Sequence, residues 1–96
     1  MRHTYIVTYD ICDPKRLRKV YKFLLGHGEH IQLSVFSCEL NDRELAEVNA
    51  GLSALINSSE DQVLFASIGP SRGRALTAVR AIGKPYEDGE RLAIVV

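Results

Sequence analysis

Apolar positions recur along this chain with two different periods, and the points where one period gives way to the other mark its elements. Thr4 to Asp10 (Thr-Tyr-Ile-Val-Thr-Tyr-Asp) is β-branched and aromatic, which predicts a strand that ends in a carboxylate. Asp13-Pro14 follows, an acceptor for a helix N-cap and then a proline whose fixed φ suits the first helical position. Leu17, Val20, Tyr21, Leu24 and Leu25 then recur at helical spacing, and Gly26 and Gly28 end that amphipathic helix. Ile31 to Leu40 reads as a second strand, with Leu33, Val35 and Ser37 on one face and Gln32, Ser34, Phe36 and Cys38 on the other. Asn41 and Glu44 have the spacing of a capping box, which opens a second helix with the stripe Leu45, Val48, Leu52, Leu55 and Ile56. Asn57-Ser58-Ser59 closes it, and Gln62 to Ile68 is a third strand ending at Gly69-Pro70. Beyond a loop at Ser71-Arg72-Gly73-Arg74, Leu76 to Ile82 is either a fourth strand or, over 75–80, a helix, and Arg91 to Val96 is a short terminal strand.

The order is β-α-β-α-β-β, or β-α-β-β-α-β if one boundary moves. Either is an α+β sandwich of the ferredoxin-like kind, two helices packed on one face of an antiparallel sheet. That arrangement hosts RNA binders, metabolite sensors, metal carriers and enzymes, so it names no function.

Ninety-six residues make a single domain, and 46% hydrophobic content supplies a core. A domain of this size buries a modest share of its surface, so association with a second copy is an expected source of added stability. No apolar run is long enough to span a bilayer, and no charged-then-apolar start resembles a signal peptide, so a cytoplasmic protein with no membrane partner is expected. Cys12 and Cys38 are far apart and lack ligand spacing, which predicts two small buried thiols. His3, His27 and His30 lack the spacing of a zinc site.

A formal net charge of zero hides a segregation of sign. Lys15, Arg16, Arg18, Lys19 and Lys22 crowd the first helix with no acid among them. Glu39, Asp42, Glu44, Glu47, Glu60 and Asp61 stand against Arg43 alone in the next stretch, and Arg72, Arg74, Arg80 and Lys84 follow. Five cations on one helix, with Arg72 and Arg74 extending them, suit a phosphate backbone; the bland reading is an ordinary solvated face. Phe36 is either core or a platform for a nucleic-acid base, and Tyr9 either packs or orients a phosphate or water through its hydroxyl. Asp13 is explained by its N-cap geometry. Asp10 either caps a turn or, beside these cations, ligates a divalent metal near a phosphodiester. One carboxylate makes a poor Mg²⁺ site, and a two-fold dimer would supply its second copy.

Tyr9-Asp10-Ile11, Asp13 and the basic helix, followed by Ile31-Gln32-Leu33-Ser34-Val35-Phe36-Ser37-Cys38-Glu39-Leu40 and an acidic helix, resemble the CRISPR-associated protein two family over roughly residues 4 to 69. The resemblance implies a ferredoxin-like homodimer whose last strands, within residues 70–96, pack across the partner's sheet. It implies a subunit of the spacer-acquisition machinery that binds double-stranded DNA and bridges CRISPR integrase subunits, and a metal-dependent endonuclease acting on single-stranded RNA or duplex DNA. On that resemblance Asp10 is the metal-binding and catalytic aspartate, served by Mg²⁺ or Mn²⁺, with Tyr9 beside it. Arg16, Arg18 and Lys19 match a phosphate-contacting region, and Phe36 matches an aromatic of the cleft. His30 stands where many relatives carry arginine, and Leu33 where tyrosine is frequent. A non-catalytic DNA-binding scaffold and a toxin-like ribonuclease of similar fold are the alternatives.

Overall fold

The structure, a computed structural model, describes residues 1–71 and 80–84. The elements run β1 (His3–Asp10), α1 (Pro14–Leu25), β2 (Glu29–Gln32), β3 (Val35–Leu40), α2 (Asp42–Leu55) and β4 (Gln62–Pro70). The four strands form one antiparallel sheet in the order β2-β3-β1-β4, so the β-α-β-β-α-β alternative is the one realised. The predicted elements beyond Ser71, and the expected crossing of residues 70–96 to a partner, fall almost wholly outside the described residues.

One boundary moved, at Leu33. The stretch read as a single strand folds back on itself, with Gln32 opposite Val35 and a two-residue connection of Leu33 and Ser34 between them. Such hairpins favour glycine or asparagine because their central residues need positive φ, and Leu33 supplies φ +36° without either. Two bonds hold the turn: the Leu33 carbonyl accepts from Nε2 of His30 at 2.7 Å, and the Ser34 carbonyl accepts from the Tyr9 amide at 3.1 Å.

Both helices begin as their sequences predict. Asp13 accepts from the Arg16 amide at 2.9 Å with Pro14 first in α1, and Asn41 and Glu44 exchange backbone-to-side-chain bonds of 2.8 and 2.9 Å. Glu44 also takes the guanidinium of Arg2 in two bonds, of 3.0 and 2.8 Å, which tie the start of α2 to the start of β1. Gly26 ends α1 with ordinary right-handed φ, so the conformational freedom of glycine is not used there. Gly28 is needed for space: a Cβ would run into the Ser37 carbonyl and the Cys38 sulfur.

The core lies between the sheet and the two helices. Val7 and Tyr9 of β1, Phe36, Cys38 and Leu40 of β3, Val20 and Leu24 of α1, and Val48 and Leu52 of α2 form one buried cluster. Each fully buried Val, Leu or Phe in it contributes roughly 1.5–3 kcal/mol. Cys38 is buried as expected, whereas Cys12 is exposed because it sits in the loop after β1 rather than on the core face. Among the described residues, no helix is long and apolar enough to cross a membrane.

Candidate functional site

Alternation along β1 decides which side chains can meet a ligand. Val7 and Tyr9 point to the helices, so Ile6, Thr8 and Asp10 lie on the other face. Register places Val35 and Leu64 beside Thr8, Ser37 and Ala66 beside Ile6, and Gln62 beside Asp10. Leu64 is 54% exposed on this face, which among the described residues carries no covering layer. Asp10 is exposed at its end, and no ion pair or side-chain hydrogen bond engages its carboxylate among the described residues.

The loop after Asp10 is anchored by a residue that sequence reasoning placed only in an acidic run. The Asp61 side chain has 0% exposure. Its Oδ1 accepts from the Cys12 amide at 2.9 Å and from Nη2 of Arg16 at 3.2 Å. Its Oδ2 accepts from Nε of Arg16 at 2.7 Å and from the Asn57 amide at 2.8 Å. Arg16 also reaches Glu60 at 3.0 Å, and the Cys12 thiol donates to the Glu60 carbonyl. The fork of Arg16 holds the Asp61 carboxyl far below the usual carboxylate range against the opposing effect of burial, with help from the two backbone amides. In return Asp61, with Glu60 and against burial, raises the Arg16 guanidinium.

Arg16 is thus already ion-paired with Asp61 and Glu60, for a reason visible in its spacing. It precedes Val20 and Leu24 at intervals of four, on the edge of the buried stripe, whereas Lys15, Arg18, Lys19 and Lys22 share the solvent stripe. Those four are exposed and in no ion pair among the described residues. Arg18 and Lys19 thus remain available to a polyanion. Arg72 and Arg74 lie outside the described residues.

Two aromatic expectations resolve towards packing. Phe36 has 0% exposure, ringed by Tyr9, Tyr21 and His30 at centroid distances of 6.2, 5.7 and 5.0 Å, so it offers no face to a base in this conformation. Tyr9 is 7% exposed, and burial first, then the nearby Tyr21, raises its phenol above the ordinary value. Neighbours on a strand point to opposite faces, so Tyr9 and Asp10 are adjacent in sequence and divided by the sheet.

Among the described residues no three His, Cys, Asp or Glu side chains gather to hold a metal ion. Asp10 offers one free carboxylate, which fits a divalent cation as half of a site rather than a whole one.

The family model described as CRISPR associated protein Cas2 matches residues 2–74. This chain belongs to the Cas2 family. It is 42% identical over 94 residues to a protein of Rhodospirillum rubrum named CRISPR-associated endoribonuclease Cas2 1, covering 98% of this chain and 91% of that one. It is 46% identical over 89 residues to CRISPR-associated endoribonuclease Cas2 2 of Thermodesulfovibrio yellowstonii, covering 93% and 94% respectively. Among solved structures, Cas2 of Streptococcus pyogenes superposes with a TM-score of 0.70 at 29% identity, over 83% of this chain and 99% of that one. A hypothetical protein of Thermus thermophilus, TT1823, superposes with a TM-score of 0.75 at 30% identity, over 92% and 99%. In this chain Asp10 closes β1, which lies between β3 and β4, and the Arg16–Asp61 pair holds the loop that follows through the Cys12 amide.

Proposed function

We propose that this Cas2-family chain is a CRISPR adaptation subunit. It pairs with a second copy through the uncovered sheet face, binds double-stranded DNA along the α1 stripes, and bridges integrase subunits during spacer acquisition. Two observations carry this reading: Asp10 ends a sheet face that the described residues leave uncovered, and α1 carries four exposed cations that are in no ion pair among the described residues.

The same site supports hydrolysis of a phosphodiester in RNA or DNA. Asp10 from each of two copies would hold Mg²⁺ or Mn²⁺, which supplies charge neutralisation at the phosphate and a more acidic water. The chain's own share is otherwise positional. Lys15, Arg18, Lys19 and Lys22 hold the backbone by charge, and Tyr9 and Phe36 stiffen the sheet beneath Asp10. Tyr9 and Phe36 are buried and Arg16 is paired with Asp61, which leaves Asp10 with Arg18 and Lys19 of its expected companions among the described residues, and that favours a non-catalytic scaffold as the second reading.

The test is hydrolysis of single-stranded RNA and duplex DNA with Mg²⁺ or Mn²⁺, alongside duplex binding, for wild type, Asp10→Ala and the double reversal of Arg18 and Lys19 to Glu. A catalytic Asp10 predicts that Asp10→Ala still binds and no longer cleaves. Equal cleavage by both removes Asp10 from the chemistry and leaves the scaffold. Undiminished duplex binding by the double reversal refutes the α1 surface.

A further inference from the structure

The loop that leaves Asp10 is fastened on both sides to one short segment. Asp10 pairs with Gln62 in the sheet, and two residues later the Cys12 amide donates to Asp61. Only Ile11 lies between the two fastenings. Asp61 in turn is locked by Arg16 from α1 and by the Asn57 amide from the end of α2. Four donors converge on its two oxygens, which fills the acceptor capacity of a carboxylate.

We infer that Asp61, gripped by Arg16, is a positioning residue that sets the direction in which Asp10 presents its carboxylate. The inference rests on the reading of Asp10 as a ligand under Proposed function. The demand for a carboxylate is specific. Each oxygen already faces two N–H donors, so asparagine in either orientation would aim its own N–H₂ at a pair of them. A buried ion pair is weak evidence of stability alone, because apolar packing often serves as well. Here the pair fastens the backbone two residues after Asp10, whose own carboxylate is engaged by no side-chain hydrogen bond or ion pair among the described residues. Groups that orient a ligating residue typically change metal affinity 10- to 100-fold, roughly, when removed.

The experiment uses the full chain as wild type, Asp61→Asn, Arg16→Lys and Asp10→Ala, with Mn²⁺ as the probe. Backbone amide exchange is followed at Cys12, Phe36 and Val48, and paramagnetic broadening around Asp10 gives the Mn²⁺ midpoint. In Asp61→Asn the Cys12 amide is expected to exchange about tenfold faster or more while Phe36 and Val48 stay within about twofold. The Mn²⁺ midpoint moves about tenfold or more to weaker binding. Arg16→Lys keeps the charge and loses the fork, so it falls between wild type and Asp61→Asn, and it carries the test should Asp61→Asn not fold. Asp10→Ala loses the broadening and keeps a slow Cys12 amide. An unchanged Mn²⁺ midpoint with a fast Cys12 amide overturns the inference, since the pair would then serve stability alone. Core amides accelerated as much as Cys12 overturn it too. If wild type shows no broadening at Asp10, the ligand reading fails and the inference falls with it, a result distinguishable because the slow Cys12 amide persists.

Discussion

The salt dependence of duplex binding separates the four solvent-facing cations of α1 from the fifth. Neutralising Z phosphates gives log K a slope against log salt of about −0.9 Z for duplex DNA. Lys15, Arg18, Lys19 and Lys22 supply four cations per chain, and two copies supply twice that. Full engagement sets a slope near −7, or a loss of about 10⁴ in affinity between roughly 50 and 200 mM salt. Replacing Arg18 and Lys19 by Ala removes two cations per copy, which brings the slope up by about 3.6 and cuts the loss over that range to about 10². Arg16→Gln removes a cation already matched by the buried Asp61 at 2.7 Å, so it leaves the slope within about half a unit of wild type. The assay is fluorescence anisotropy of a labelled duplex across a salt series, run below the unfolding transition of each variant. A slope that rises by about 1.8 in Arg16→Gln would show its guanidinium meeting phosphate, and the division of α1 into two stripes would be wrong.

Three further outcomes follow from the same geometry. Leu33→Gly relieves a positive φ at a side chain 86% exposed, and is expected to raise stability by about 0.5–1 kcal/mol in urea unfolding; a lower midpoint would contradict the strain. Burial pushes the Cys38 thiol up to about 11, so a thiol reagent should modify Cys12 alone in the folded protein and both cysteines after denaturation. Asp61 has a folded pKa depressed below its unfolded value near 3.8, so its stabilisation is present above that pH and drains away as pH falls towards the folded value. Asp61→Asn should therefore flatten the acid limb of the stability curve below pH about 4, and an unchanged limb would deny the depression.

Most of the architecture was legible because local signals agreed with each other. Asp13-Pro14 and the Asn41–Glu44 box start helices in the structure as they do on paper, and the β1 and β4 patterns land within two residues. The β2–β3 hairpin was hidden because its turn is built from leucine and serine, held by His30 instead of by the usual turn residues. Asp10 was visible as a carboxylate closing a β-branched run. Its surroundings were not, since a strand's alternation sends Tyr9 and Phe36 inward, and Arg16 finds its partner 45 residues away. Long-range pairing of that kind leaves no local mark.

The place of β1 in the sheet has one more consequence. Hydrogen-bonded to β3 on one side and β4 on the other, it is an interior strand, while four-residue β2 forms an edge. Edge segments open in brief local excursions, whereas a strand laddered on both flanks lets go only when the whole domain does. Asp10 is thus mounted on the part of the molecule that melts last, and its address survives the breathing of the periphery.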